Sequence, residues 1–357
     1  MSVIATIENP AIPKDSVVLI TGANGFIASH VVHQLIQYGY KHAWLSAYFD
    51  KTYGKGHFEL LCVPDMTAGN AFDEAIKRLW SIGVSAFIYM ASVKNLDPGP
   101  NKSAVVAIKT AYRGPFVNRF VLTSSSSVIL PVHLQAFLEM KSPVVTEDSW
   151  SPDAKELAWT PGLVWEPGHS VTVYITRKIE QEQTVRKDNQ SKRPDLVVNA
   201  GISSENESGK ESYPIDQGHP CTSGILVLLF QGKVLDSIQK LPQVKLGHGL
   251  TFNIKYALDV QDDAHLHVAA AALPDVKSQR IFAFAHPLWW DNILEVFRKQ
   301  YPDKKFPDNF YNEPYPAIIK PRDRAEELLK RLGKPGWTPF EETLKMNVDD
   351  LYAADDV

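Results

Sequence analysis

A tyrosine and a lysine four residues apart, Tyr174 and Lys178, are the side chains of this sequence best suited to proton transfer. On a helix, residues i and i+4 lie on one face, so the phenol and the ammonium would reach the same small volume. A neighbouring ammonium lowers the pKa of a tyrosine from its usual value of about 10. Such a phenol can exchange a proton with a carbonyl or alcohol oxygen near neutral pH. The spacing also fits a half-buried aromatic residue beside a solvated lysine without a chemical role.

A glycine-containing turn near the start of the chain predicts a dinucleotide site. It joins an apolar run, 17–20, typical of a buried parallel strand, to an amphipathic segment, 30–38. Gly22 and Gly25 would let the backbone approach a pyrophosphate, and Ala28 would let the helix pack near the strand. The expected pyrophosphate contacts, at the helix N-terminus, are Gly22, Ala23, Asn24, Gly25, Phe26 and Ile27. A tight turn without a ligand is the alternative.

A run of serines, 124–127, follows an apolar segment, 119–123, that predicts another buried strand. In open α/β sheets ligands bind at the carboxyl ends of the strands, so a hydroxyl group there is well placed to donate to a substrate carbonyl. By itself a serine run is equally consistent with a polar loop. The three segments occur in an order and local context that favour one shared site.

Apolar segments alternate with helical ones, which predicts an α/β fold with a Rossmann-type, doubly wound parallel sheet. The predicted strands are residues 17–20, 58–63, 86–91, 120–123 and 196–202, with 280–285 returning to the sheet. We assign residues 1–202 plus 251–286 to a dinucleotide-binding domain. Residues 203–250 plus 287–357 would form a smaller, discontinuous C-terminal lobe that binds the substrate.

The composition is that of an ordinary globular chain. Its 357 residues, 44% hydrophobic and 22% charged, are sufficient for a large core. A net charge of −4 gives no reason to expect a nucleic-acid or membrane partner. Two cysteines without metal-binding spacing and an N-terminus unlike a signal peptide suggest a cytoplasmic protein. His265 and His267, two residues apart, would face different sides of a helix, which favours a structural role over a metal site.

Motifs from residue 16 to residue 351 resemble the extended short-chain dehydrogenase/reductase superfamily. The similarity is to its branch of dihydroflavonol reductases and fungal NADPH-dependent aldehyde and ketone reductases. The matching motifs are Gly39-Tyr40-Lys41, Asp65-Met66, Met90-Ala91-Ser92-Val93, residues 119–125, Glu147-Asp148-Ser149-Trp150, residues 174–178, residues 259–265 and Gly333-Lys334-Pro335-Gly336-Trp337. The resemblance implies a carbonyl reductase or alcohol dehydrogenase for a small molecule, with Ser125, Tyr174 and Lys178 catalytic. Tyr174 would be the general acid/base, and Lys178 would also hold the nicotinamide ribose.

The resemblance also implies a cofactor and its contacts. NADP(H) is expected rather than NAD(H), with Lys51 as the cation for the 2′-phosphate. The arginine that usually binds this phosphate is replaced by Ala47, and the aspartate of NAD-dependent relatives by Ser46. Beyond the glycine turn, the expected contacts are Ser46, Lys51, Asp65, Met66, Met90, Ala91, Ser92, Tyr174, Lys178 and Ile202. Ser203 stands where the branch usually has a proline beside the nicotinamide.

Two other functions remain open at the level of the sequence. The scaffold also resembles sugar-nucleotide epimerases and dehydratases, which would make the chemistry non-redox, although segment 333–337 favours the reductase branch. The departures at Ala47, at Ser203 and after Ser92 would fit a dinucleotide-binding protein without catalysis. The presence of all three catalytic residue types argues against that alternative.

Overall fold

The computed structural model describes residues 7–43, 51–52, 54, 59, 61–79, 83–91, 102–129, 143–160, 169–204, 206–209, 219, 223–233, 256–309 and 317–355. The strands are β1 (Val17–Ile20), β2 (Lys41–Ala43), β3 (Val84–Tyr89), β4 (Arg119–Thr123), β5 (Val144–Val145), β6 (Val197–Ser203), β7 (Asn206–Ser208), β8 (Tyr256–Asp259), β9 (Arg280–Ala283), β10 (His286–Pro287) and β11 (Ile318–Ile319). The α-helices are α1 (Phe26–Gln37), α2 (Asp73–Leu79), α3 (Lys102–Arg113), α4 (Ala154–Trp159), α5 (His169–Lys192), α6 (Ser223–Phe230), α7 (Val260–Ala272), α8 (Trp290–Gln300), α9 (Arg322–Arg331) and α10 (Phe340–Asp355).

Within the described residues, the central sheet has six strands in the order β2-β1-β3-β4-β6-β9, and every neighbouring pair is parallel. The chain starts at β1, moves to β2 on one side and then crosses to β3 and the remaining strands on the other. The strand order therefore reverses between β1 and β3, which is where open α/β sheets bind ligands. The predicted doubly wound parallel sheet is confirmed.

Both faces of the sheet are covered by helices, because alternate residues of each strand point to opposite sides. Val18 and Ile20 of β1 pack into a cluster that includes residues of α1, α7 and α9. Val17 and Leu19 pack into a second cluster with residues of α2, α3 and α5. The continuous apolar run of β1 thus follows from its burial on two sides.

The predicted strand over residues 58–63 is wrong for the residues of this range that the structure describes. Leu61, Cys62 and Val63 have no strand structure, and residues 58 and 60 lie outside the described residues. Leu61 is nevertheless buried in the cluster around β1 and β3. An apolar pattern predicts which side chains become buried, but a strand also needs a neighbouring strand to pair with.

A further cluster lies away from the central sheet. Its members come mainly from α6, α8 and α10, and Ala257 contributes from β8. β8 pairs in parallel with β7 and antiparallel with β10, forming a three-stranded sheet. Trp290, Phe282 and Phe284 are buried. The domain boundaries stay a prediction. None of the described helices is long and apolar enough to span a membrane.

Two of the motifs that carry the resemblance, residues 259–265 and residues 333–337, contact each other. The buried carboxylate of Asp262, in α7, accepts hydrogen bonds from the ammonium of Lys334 and from Thr338. Thr338 donates its N–H at 2.7 Å and its hydroxyl at 2.9 Å, and this hydroxyl also accepts from Lys334 at 3.0 Å. Residues 334–338 are therefore held against α7 by the buried carboxylate of Asp262, both of whose oxygens accept hydrogen bonds.

We predict that Asp262→Ala lowers the free energy of unfolding by about 3 kcal/mol, because it leaves a partly buried ammonium without its carboxylate and a backbone N–H without an acceptor. The matched control is Asp323→Asn, at a side chain that is 93% exposed with an ion pair at 3.7 Å. That change should stay within about 0.5 kcal/mol. Urea unfolding of both variants measures the difference, and equal stabilities would contradict the assigned role of Asp262.

Candidate active site

The turn between β1 and α1 lies at the reversal of the strand order. Gly22 has a φ of +72°, in the left-handed region that favours glycine. A Cβ on Gly22 would also lie 3.3 Å from the Cα of Ala91, so a side chain would press on the segment after β3. Gly25 donates its N–H to the Gly22 carbonyl at 2.8 Å and directly precedes α1. At Gly22 and Gly25 the turn therefore presents backbone without a side chain just before α1.

This turn fits a pyrophosphate. The first turn of α1 contains no acidic residue that would neutralise the partial positive charge of the helix N-terminus. Asn24 and Gly25 are exposed, Ile27 is half-buried, and Ala23 and Phe26 are buried. Ala28, also buried, lets α1 pack close to the sheet. Exposed backbone at a helix N-terminus is the arrangement that binds phosphate groups.

Thr21 joins the glycine turn to the end of β3. Its Oγ1 accepts hydrogen bonds from the N–H groups of Met90 and Ala91, both at 3.0 Å. Met90 and Ala91 are half-buried. The structure therefore brings two predicted cofactor contacts beside the glycine turn, whereas Ser92 lies outside the described residues.

Asp65 and Met66 lie on a turn that precedes α2. The exposed carboxylate of Asp65 accepts from the hydroxyl of Thr67 at 2.7 Å and from its N–H at 2.8 Å. These two hydrogen bonds hold the pKa of Asp65 below its usual value, and the bond from the hydroxyl has the larger effect. The carboxylate therefore stays ionised. Met66 is half-buried against the cluster that contains Phe72 and Phe87. Asp65 is thus an acceptor open to solvent, as a contact to a cofactor hydroxyl or amino group requires.

The remaining predicted cofactor contacts are spread over several elements. Lys51 is exposed in a short helical segment. Ile202 is fully buried in β6 and pairs with Phe282 of β9. Ser46 lies outside the described residues, and so does Ala47, the position of the missing arginine.

Ser125 follows the end of β4 and begins a short 3₁₀ turn, Ser126–Val128. Its hydroxyl lies 2.9 Å from the hydroxyl of Ser127 and accepts the Ser127 N–H at 3.4 Å. The preceding residue, Ser124, donates its N–H to the carbonyl of Gly201 in β6 at 2.7 Å. The carboxyl ends of β4 and β6 are therefore joined immediately before Ser125.

Tyr174 and Lys178 lie on α5, as predicted, but in different environments. Tyr174 is 43% exposed, whereas Lys178 is only 6% exposed. The Lys178 Nζ lies 5.9 Å from the centroid of the Tyr174 ring. It donates a hydrogen bond of 2.9 Å to the carbonyl of Thr123, the last residue of β4. This bond brings the predicted pair to the strand end that carries Ser125.

Burial lowers the pKa of Lys178 to about 8, and the carboxylate of Glu182 opposes this effect. Glu182 is fully buried one helical turn beyond Lys178, and its Oε1 accepts from the Nε of Arg280 at 2.8 Å. Sequence reasoning did not find these two residues. The spacing of four between Lys178 and Glu182 could have indicated the first, but nothing local indicates Arg280.

His267 of α7 reaches the same strand end from another direction. Its Nε2 lies 2.9 Å from the Oγ1 of Thr123, and its Nδ1 lies 2.9 Å from the carbonyl of Asp263. Since a carbonyl only accepts, Nδ1 carries hydrogen, and in the neutral ring Nε2 accepts from the Thr123 hydroxyl. A Cβ on Gly201 would lie 3.0 Å from Nε2, so the glycine allows the imidazole to pack there. These contacts are structural.

Among the described residues, no group of three or more histidine, cysteine, aspartate or glutamate side chains could hold a metal ion. The groups at this sheet edge are a partly exposed phenol, a buried ammonium and a serine hydroxyl. Together they are suited to binding an oxygen atom and transferring a proton to or from it. Beside them, the glycine turn is suited to binding a phosphate-containing cofactor.

The chain is similar over nearly its whole length to several curated sequences, among them an aldehyde reductase and a ketoreductase. Aldehyde reductase 2 of Sporidiobolus salmonicolor is 31% identical over 359 residues, which cover 96% of this chain and 97% of the relative. Ketoreductase adrE of Penicillium rubens is 31% identical over 359 residues, covering 95% and 97%. No family model matches the chain.

A solved structure, Gre2 of Candida albicans in complex with NADPH, has the same fold. It superposes with a TM-score of 0.71 at 20% identity, covering 95% of this chain and 99% of that protein. Sequence identity at this level establishes the fold alone. The similarity to the two fungal reductases, at 31% identity over nearly the full length of each chain, goes further: the chain belongs to the extended short-chain dehydrogenase/reductase superfamily, in the branch of the fungal aldehyde and ketone reductases.

Proposed function

We propose that this protein is an NADPH-dependent reductase that converts a small-molecule aldehyde or ketone to the alcohol, and that can run in the reverse direction as an alcohol dehydrogenase. The observation that carries the proposal is the buried Lys178 ammonium, which lies near the ring of Tyr174 and donates to the Thr123 carbonyl. The names of the two curated relatives, an aldehyde reductase and a ketoreductase, support reduction of a carbonyl group.

The cofactor would be held by this chain's own backbone and by a few side chains. The pyrophosphate would lie on the turn from Gly22 to Ile27, because this turn contains two glycines and leads into the N-terminus of α1. Asp65 would accept from the adenosine half, and Lys51 would contact the 2′-phosphate. Lys178 would contact the nicotinamide ribose. When bound, NADPH supplies the hydride, and the protein supplies orientation and the proton.

In the proposed mechanism, Ser125 and Tyr174 donate hydrogen bonds to the carbonyl oxygen, which polarises the C=O bond. The oxygen gains negative charge as its carbon is reduced, and the phenol of Tyr174 gives it a proton. The ammonium of Lys178 stabilises the phenolate that remains, because an opposite charge nearby favours the charged form. Proton transfer from solvent then restores the phenol. The partial exposure of Tyr174 supports the proposed contact with a substrate.

We predict that Tyr174→Phe decreases turnover of an aldehyde or ketone by about 100-fold to 10,000-fold, because it removes the proton donor. NADPH binding should change by only a few-fold, because the phenol is not the main contact of the cofactor. Tyr301→Phe is the matched control, since its hydroxyl donates to Asp349 at 3.0 Å, in the cluster of α8 and α10. Steady-state kinetics and cofactor fluorescence measure both quantities. Normal turnover by Tyr174→Phe would contradict the assignment of Tyr174 as the proton donor.

The cofactor itself is tested by titration of the purified protein with NADPH and with NADH, following tryptophan quenching. We expect micromolar binding of NADPH and weaker binding of NADH. Lys51→Ala should weaken NADPH binding roughly fivefold, the effect of one exposed ion pair, and leave NADH binding unchanged. Lys299→Ala, another exposed lysine, is the control. If neither cofactor binds, the reductase proposal fails, and the Tyr174–Lys178 pair needs a different explanation.

A further inference from the structure

The guanidinium of Arg280 connects three parts of the molecule near the site. Arg280 is the first residue of β9, and the Nε of its guanidinium donates to Glu182 of α5 at 2.8 Å. Its Nη1 donates to the carbonyls of Glu147 and Ser149, each at 2.7 Å. The guanidinium carbon lies 3.9 Å from the centroid of the Trp150 ring, in a cation–π contact. Arg280 is therefore a bridge between α5 and segment 147–150.

Segment 147–150 leads directly to the serine turn. The next residue, Ser151, donates its N–H to the carbonyl of Val128 at 2.7 Å. Val128 ends the 3₁₀ turn that Ser125 begins, and its N–H donates to the Ser125 carbonyl at 3.2 Å. Arg280 thus fixes a segment that is itself hydrogen-bonded to the serine turn.

On the other side, Arg280 acts on Lys178 through Glu182. Glu182 lies four residues after Lys178, so the two side chains share one face of α5, and both are buried. The Oε1 of Glu182 is bound by Arg280, while its Oε2 has no hydrogen-bond partner among the described residues. The negative charge of the Glu182 carboxylate favours the charged form of the Lys178 ammonium one helical turn away.

From these contacts we propose that Glu182 and Arg280 are positioning residues for the reaction. Glu182 keeps Lys178 charged, and Arg280 holds Glu182 and the segment that supports Ser125. This inference rests on the proposed function. The charge of the Lys178 ammonium then depends on the buried ion pair of Glu182 and Arg280, and neither of these two residues touches the substrate or the cofactor.

The groups around Lys178 define its electrostatic environment. From α5 these are Tyr174 and Glu182, from β9 Arg280, and from α7 His267, which lies behind Thr123. Asp148 and Arg186 act one step further away, on the charge of Arg280. Burial lowers the pKa of Lys178, and Glu182 raises it. A lysine becomes neutral as the pH rises through its pKa, so loss of Glu182 would extend the neutral form to lower pH.

The test is the titration midpoint of Lys178 in the protein without cofactor, followed by the NMR chemical shift of Cε in isotope-labelled lysine. Lys178→Met assigns the signal. For the unaltered protein we expect a midpoint near pH 8. In Glu182→Gln the ammonium faces only the cation of Arg280, so the midpoint should fall by about one pH unit. In Arg280→Met the carboxylate is left alone, so the midpoint should rise, but by less than it falls in Glu182→Gln, because Glu182 is the group that acts directly on the ammonium.

Shifts in opposite directions separate this role from a merely structural one, because loss of packing would impair both variants in the same direction. Each single variant leaves one buried charge unpaired and could fail to fold. The double variant Glu182→Gln/Arg280→Met buries no unpaired charge, and its midpoint should lie between those of Glu182→Gln and the unaltered protein. Equal midpoints in the double variant and the unaltered protein would overturn the inference.

The alkaline limb of the pH dependence of kcat/KM should follow the NMR midpoint in every variant that folds. A limb that stays in place while the midpoint moves would overturn the positioning role in the reaction. An unaltered protein without NADPH-dependent carbonyl reduction would instead refute the proposed function, and the midpoints would still report whether the ion pair sets the charge of Lys178.

Discussion

The hydrogen bond from the Lys178 ammonium to the Thr123 carbonyl is the contact on which the geometry of the site depends. A buried ammonium without an acceptor would be costly, so the bond fixes where the end of α5 that carries Tyr174 can lie. Thr123 is the last residue of β4, and Ser125 follows two residues later. One bond therefore sets the distance between the helix that carries the phenol and the strand that carries the serine hydroxyl.

The rest of the sheet edge is organised in the same manner, by side chains that bind backbone at the ends of strands. The Thr21 hydroxyl accepts two N–H groups from the segment after β3, which holds Ala91 close to Gly22. In a parallel sheet all carboxyl ends lie at one edge, so each such contact also sets the position of its neighbours. The glycine turn and the Tyr174 helix belong to one edge because β1, β3 and β4 are adjacent strands.

The sequence predicted the elements whose causes are local. The strand Val17–Ile20, the glycine turn and the shared face of Tyr174 and Lys178 all follow from short-range patterns. The pair of Glu182 and Arg280 spans 98 residues of sequence, and that of Asp262 and Lys334 spans 72. Such contacts exist only after the sheet has formed, so no local pattern contains them. The strand expected over 58–63 fails for the related reason that an apolar pattern does not supply a pairing partner.

The position where the reductase branch usually has a proline shows how a departure in sequence can be compensated in structure. The hydroxyl of Ser203, at the end of β6, donates to the buried carboxylate of Asp263 at 2.9 Å. The carbonyl of Asp263 binds Nδ1 of His267, whose Nε2 meets the hydroxyl of Thr123. A proline in place of Ser203 would remove the donor to Asp263. The ends of β6 and β4 are thus linked by hydrogen bonds through Asp263 and His267, where the branch usually has the rigid ring of a proline. These hydrogen bonds end on the hydroxyl of the residue whose carbonyl binds Lys178, so both contacts act on the same strand end.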